Sequence, residues 1–153
     1  MVKTKRLNIT LLSDEAMEEM IYGEAIPELK QAYTEMMKGC KACTDRRQWY
    51  GIWDICLADA LDISIGNLSF KGLNDDGIVE IGYGINEEYA GNGYATEAVS
   101  AMVSWALSQP GVFRIEAETE PDNLASQRVL AKSGFIPNGI IGEEGPRFEI
   151  RKI

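Results

Sequence analysis

The segment Tyr89-Ala90-Gly91-Asn92-Gly93-Tyr94-Ala95-Thr96 joins a strand-like run to a helix-like one, and its residue types suit the binding of an anion. Glycine has no Cβ, so the backbone there can take positive φ and come close to a ligand. The first N–H groups of a helix have no partner within it, and the helix dipole adds about half a positive charge at that end. A diphosphate can be held by such main-chain amides without any lysine. Two nucleotide-binding patterns that also join a strand to a helix do not fit. Thr96 takes the third glycine position of G-x-G-x-x-G, and G-x-x-x-x-G-K-[ST] does not occur. Taken alone, the loop also reads as an ordinary turn that uses glycine for tightness.

Other chemistry must come from few residue types. The chain has no histidine, which removes Ser-His and Cys-His nucleophilic pairs and His-based metal sites. Proton transfer falls to carboxylates, Tyr, Ser, Lys, Cys or water. Glu80 lies in the strand that enters the loop, and alternation puts Glu116 and Glu118 on one face of a later strand. Asn123 and Ser126 sit on neighbouring parts of one helical face. There, Asn123 or Asp122 suits a helix cap and Ser126 suits a small packing position. Arg128 and Lys132 suit either a phosphate contact or a solvated face. Cys40-Lys41-Ala42-Cys43 is a C-x-x-C with no second pair, at the end of a helical run, and reads as structural. Trp49, Tyr50, Trp53, Tyr22, Tyr33 and Met36 suit a core or the wall of an acceptor pocket.

These residues need elements to position them. Leu7, Ile9 and Leu11 alternate with polar neighbours as in a strand, and Ser13-Asp14-Glu15 starts a helix that runs to about Tyr22. Pro27 opens a second helix that buries Leu29, Ala32, Tyr33, Met36, Met37 and Cys40. From Gln48, the runs WYGIWDICL, ISIGNLSF and IVEIGYGI predict an antiparallel meander with turns around Ala58 to Asp62 and Gly72 to Gly77. After the glycine loop, Ala95, Ala98, Val99, Met102, Val103 and Ala106 share one helical face. VFRIEAET reads as a strand, LASQRVLAKS as a helix stopped by Gly134, and FIPNGIIGEEGPRFEIRKI as one or two strands. The expectation is a single α+β domain over residues 1–153. Its mixed, mostly antiparallel sheet has about 6–7 strands and about 4 helices, with the strands on either side of the Ala95 helix parallel and adjacent.

Composition narrows the function classes. At 153 residues, 45% hydrophobic and 25% charged, the chain has ordinary globular character and can hide roughly 70% of its unfolded surface. A formal net charge of -9 argues against nucleic acid as a partner and suits a cationic substrate. No apolar run reaches the roughly 18 residues of a membrane span. The odd number of cysteines fits a reducing compartment, so a cytoplasmic protein without a membrane partner is expected.

Together TKRLNITLL, VEIGYGINEEYAGNGYATEAV and PDNLASQRVLAKSGF resemble the GNAT N-acetyltransferase superfamily, and especially its branch similar to ribosomal-protein N-acetyltransferases, over nearly the whole chain. The second run looks like the branch's strand, pyrophosphate loop and helix. In the third, Asn123, Ser126, Leu130, Lys132, Gly134 and Phe135 fall where that branch's second signature has them. The superfamily loop pattern is [Q/R]-x-x-G-x-[G/A]. Gly93 and Ala95 match it, whereas Ala90 stands in the Gln or Arg position, which leaves the backbone amides but removes a side chain from the phosphates.

The resemblance implies acetyl-CoA as cofactor, held by Ala90, Gly91, Asn92, Gly93, Tyr94, Ala95 and Thr96, with the pantetheine arm beside Tyr83, Gly84 and Ile85 where two strands splay apart. It implies Glu80 as a base acting through water, with Glu116 and Glu118 as rivals. Asn123 and Ser126 would lie near the sulfur, with Ser126 donating to the leaving thiolate, and Lys132 would contact the cofactor. The implied acceptor is a primary amine, on a small molecule or a protein N-terminus, that attacks directly in a ternary complex. The alternative is an inactive acyl-CoA-binding or regulatory module of the same fold. A monomer or homodimer is expected.

Overall fold

The computed structural model describes residues 1–152, so Ile153, the last residue of the final strand-like run, lies outside the described residues. The elements follow in the order β1 (Val2–Lys3), β2 (Leu7–Leu11), α1 (Asp14–Gly23), α2 (Pro27–Ala42), a 3-10 stretch (Thr44–Trp49), β3 (Ile52–Leu57), β4 (Ala60–Leu73), β5 (Ile78–Ile85), a 3-10 turn (Glu87–Tyr89), α3 (Tyr94–Leu107), β6 (Arg114–Glu118), α4 (Leu124–Lys132), β7 (Ile136–Ile141) and β8 (Pro146–Arg151). The strands form one sheet in the order β1-β2-β3-β4-β5-β6-β8-β7. Every described pairing is antiparallel except β5 with β6. That parallel pair follows from the helix-bearing connection between them, since parallel neighbours need a long crossover.

Local chemistry sets the helix ends. The Ser13 hydroxyl accepts from the Ala16 N–H at 3.2 Å and caps α1, and Asp14 and Glu15 put negative charge in its first turn. Pro27 starts α2, where its missing N–H would have no partner in any case. The Asn123 side chain accepts from the Ser126 N–H and caps α4, and Gly134 at φ +98° follows its end.

The sheet separates two apolar clusters. Ile52 and Trp53 are consecutive in β3, so their side chains leave on opposite faces. Trp53 belongs to the larger cluster, in which Ala98, Val99, Met102, Val103 and Ala106 of α3 pack with Ile9, Ile55, Leu68, Phe70, Val79 and Ile115. Ile52 belongs to a smaller one with Met17, Tyr33, Met37 and Cys40, beneath α1 and α2. Truncating fully buried Met102 to Ala costs about 2–5 kcal/mol by the usual range for such cavities.

Four details differ from the sequence reading. Among the described residues there are eight strands, because the two-residue β1 is too short to show a pattern. Residues 48–50 do not extend β3. Gln48 and Trp49 close a 3-10 stretch, with Trp49 turned into the core and the Trp53 indole N–H donating to the Gln48 carbonyl at 3.1 Å. The β3–β4 turn is shorter than expected, with β4 beginning at Ala60. Leu29, at helical spacing with the buried face of α2, is 40% exposed because it lies at the end of α2 away from Met37 and Cys40.

Candidate active site

The start of α3 is built on glycine. Gly91 and Gly93 have φ of 78° and 79°, in the left-handed region that residues with a Cβ rarely adopt. Gly93 is the N-cap and provides no side-chain cap. The Glu97 N–H closes the first turn on the Gly93 carbonyl at 3.0 Å. Among the described residues, the N–H groups of Tyr94, Ala95 and Thr96 donate to no protein acceptor. Three open amides at the positive end of a four-turn helix are a ready anion site.

These amides border a cavity of about 490 Å³ between the start of α3 and α4. Tyr83, Ile85, Ala90, Gly91, Gly93, Tyr94, Ala95, Thr96, Asn123, Ser126 and Lys132 all line it, together with Arg128. Of the predicted contacts, Gly84 lines a different hollow near α2, and Asn92 turns its side-chain amide back onto the carbonyls of Tyr89 and Ala90, at 3.1 and 3.2 Å. A diphosphate suits the residues present. The amides are free, the glycines let it approach, and Arg128 and Lys132 stand across the cavity.

At the inner end, Tyr83 and Ser126 meet. Their hydroxyl oxygens are 2.7 Å apart and either can donate. Burial pushes the Tyr83 phenol up, against a smaller lowering by Ser126, so it keeps its proton at neutral pH. The same two residues and Asn123 also line a second cavity of about 250 Å³ with Lys71, Glu80, Glu118, Thr119, Glu120 and Glu144. This cavity lies where β5 and β6 part. Their pairing covers only Ile78–Glu80 against Arg114–Glu116, and Tyr83 lies beyond it.

The carboxylates are engaged. Val79 and Ile81 face the core, so Glu80 points to the opposite face of β5. It accepts from Arg147 Nη2 at 2.5 Å and from Lys71 Nζ at 2.7 Å. Arg147 also holds Glu116 at 3.0 Å and Glu118 at 2.6 Å. Burial pushes the Glu80 carboxyl up, but the bonds from Lys71 and Arg147 outweigh it and hold its pKa below the usual range. A carboxylate so placed stays ionised and takes up a proton reluctantly.

Sequence reasoning missed Lys71 and Arg147 as the partners of Glu80, and it missed the pairing of Tyr83 with Ser126. It also passed over Arg6 and Glu97, which touch the glycine loop from outside. The only signal for Arg6 was a basic residue just before the first strand. The aromatic residues divide as core and wall. Trp49 and Trp53 are buried and pack on Trp105 with ring centroids 5.2 and 4.9 Å apart, whereas Tyr33 and Met36 line the hollow near α2 and Tyr22 is exposed. Cys40 and Cys43 are both free thiols, and among the described residues no group of side chains is arranged to hold a metal ion. Among the described residues no helix is long and apolar enough to cross a membrane.

Residues 4–136 match the model of the acetyltransferase (GNAT) domain, and the chain belongs to that family. An uncharacterized N-acetyltransferase of Bacillus subtilis, YjdG, is 42% identical over 87 residues, which are 56% of this chain and 51% of that one. The chain thus spans about half the length of the curated relatives it matches. A GNAT-family acetyltransferase from Bacillus anthracis superposes with a TM-score of 0.72 at 22% identity, covering 99% of this chain and 98% of the other. RimL, a ribosomal L7/L12 alpha-N-protein acetyltransferase solved with coenzyme A, gives a TM-score of 0.75 at 14% identity, covering 97% and 95%. At such identities these structures establish the shared fold.

Proposed function

We propose that this chain is an acetyl-CoA-dependent N-acetyltransferase that transfers an acetyl group to a primary amine by direct attack in a ternary complex. One observation carries the reading: the open amides of α3 border a cavity whose inner end is the Tyr83–Ser126 hydroxyl pair, at the point where β5 and β6 separate. Ala90 to Thr96 would hold the diphosphate, with Arg128 and Lys132 near its charge. Tyr83, Gly84 and Ile85 would flank the pantetheine arm.

Bound acetyl-CoA supplies an activated acetyl group: the amine nitrogen bonds to the carbonyl carbon, the C–S bond breaks, one proton leaves nitrogen and one is taken up by sulfur. In this chain the proton for sulfur sits on the Tyr83–Ser126 pair, and the raised pKa of Tyr83 keeps that pair protonated. Asn123 holds Ser126 in place by capping α4 through the Ser126 N–H. Glu80, ionised and shared between Lys71 and Arg147, is a weak base, and the proton that leaves nitrogen passes to water beside it and on to solvent. A weak base suits an acceptor that is already partly neutral. An α-amine, with pKa near 8, is about one-tenth neutral at pH 7, whereas a lysine near 10.4 is neutral about once in 2,500 molecules. The reading therefore favours an α-amine, on a small molecule or a protein N-terminus. Glu120 and Glu144, which line the same cavity as Glu80, favour an acceptor with further positive charge.

The test is incubation of the purified protein with acetyl-CoA and a panel of amines, following free thiol and then product mass. Amine-dependent thiol release with an added acetyl mass is expected, greatest for α-amines. Tight coenzyme A binding without release for any amine would replace this reading with that of a binding module.

A further inference from the structure

The open amides of the loop are held in direction from outside it. Thr4 and Arg6, in the bend between β1 and β2, meet Glu97 in the first turn of α3. The Thr4 hydroxyl donates to Glu97 Oε2 at 2.5 Å, the Arg6 N–H donates to the same oxygen at 2.9 Å, and Arg6 Nε donates to Oε1 at 2.7 Å. Burial pushes the Glu97 carboxyl up, but the bonds from Thr4 and Arg6 outweigh it, so Glu97 stays ionised. The guanidinium so fixed lies over the Tyr94 ring, 4.3 Å from its centroid, and its Nη1 donates to the Asn92 carbonyl at 2.9 Å.

That last bond fixes a peptide plane. The Asn92–Gly93 bond is trans, as every described peptide is, and in a trans peptide the C=O and the following N–H point in opposite directions. Pinning the Asn92 carbonyl on Arg6 therefore turns the Gly93 N–H away from Arg6. Gly93 lines the large cavity, whereas Arg6 lines a separate hollow behind the loop with Tyr94 and Asp59. The guanidinium is also close to Gly93 itself, with Nη2 only 3.4 Å from where a Cβ would be. Ala90, in the loop's first position, brings no side-chain donor to share this work.

We propose that Arg6, locked by Glu97, is a positioning residue that orients the Asn92–Gly93 peptide so that the Gly93 N–H faces the diphosphate site. This rests on the reading of the loop as a diphosphate cradle. Arg6 touches no reacting atom, and its effect is confined to the part of the donor that carries phosphate.

Two donors separate the possibilities: acetyl-CoA, and S-acetylpantetheine, which has the same thioester arm and no diphosphate. In the wild type, acetyl-CoA should be the better donor by KM. Arg6→Met should weaken coenzyme A binding by calorimetry, and raise KM for acetyl-CoA, about 10–100-fold with kcat little changed, the range for losing an oriented hydrogen bond to a charged group. Its kcat/KM with S-acetylpantetheine should stay within about twofold of wild type, since a diphosphate contact is absent there. Glu97→Gln should show the same split at smaller size. If Arg6→Met does not fold, by circular dichroism, Arg6→Lys carries the test in its place. Equal losses on both donors, or a loss on neither, would overturn the proposal. A wild type that does not distinguish the two donors would instead overturn the diphosphate reading beneath it.

Discussion

The two ends of β5 treat polar groups in opposite ways. Near its start, Glu80, Glu116 and Glu118 close around Arg147, Lys71 adds a second cation, and the side chains of Glu80, Glu116, Glu118 and Arg147 are only 10–22% exposed. Past its end, Tyr94, Ala95 and Thr96 open a helix with amides that no protein group answers. The first arrangement is complete, because each charge taken partly out of water has an opposite charge within hydrogen-bond reach. The second is incomplete, and it persists because the amides border an open cavity where water can serve them. On the proposed reading, a concentration of charge does not mark the binding site, and uncharged backbone held ready does.

The contrast is broken most severely by Gly93→Val. A β-branched residue at φ +79° is strained, and its side chain would face Arg6 at close range. Calorimetry should show coenzyme A affinity reduced by more than about 100-fold, the loss of several amide contacts at once. Affinity within a few-fold of wild type would mean that the amides do not carry the site.

Next in size are the hydroxyls at the inner end. Tyr83→Phe should lower kcat on the order of 100-fold and Ser126→Ala on the order of tenfold, both with coenzyme A binding nearly intact. A parallel loss of binding would show that the pair acts in holding the cofactor and not in supplying a proton.

The charge cluster should respond in stability and leave cofactor affinity alone. Arg147→Met leaves Glu118 without a cation and takes one of two cations from Glu80, which keeps Lys71, and from Glu116, which keeps Arg114, and the melting midpoint should fall by roughly 3–6 °C. If that variant also lost coenzyme A affinity, the two ends of β5 would not be independent.

The smallest effect is on pH. Glu80 and Glu97 are both held below their unfolded pKa of about 4.3. The folded chain then binds fewer protons than the unfolded one in this range. Their contribution is present above the unfolded pKa and is lost as pH falls through the folded values. Midpoints measured from about pH 6 to about pH 3 should decline, and Glu80→Gln should make that decline shallower.

Much of this was legible beforehand where the physics is local. The buried face Ala98, Val99, Met102, Val103 and Ala106 follows from helical spacing, and each is buried. Gly91 and Gly93 signalled positive φ, and both have it. Residue type placed the α4 cap at Asp122 or Asn123, and it is Asn123. Glu80 shows where such reasoning stops. Its position on β5 was readable, but its engagement depends on Arg147, 67 residues away in sequence. Residues 48–50 looked like strand because aromatic and β-branched runs favour sheets, yet core packing of Trp49 prevailed over that preference.

By itself the sequence determined the elements, the glycine-opened helix and the family these motifs resemble, since spacing, caps and φ preferences act over a few residues. Only the tertiary structure decided which carboxylates are spent on ion pairs and which arginine bonds to the loop. Strand register sets the first, with Glu118 opposite Arg147 and Glu80 opposite Glu116. Chain folding over 86 residues sets the second, by carrying Arg6 to the carbonyl of Asn92. Contacts at such separations are chosen by how whole faces pack, and no local pattern encodes them.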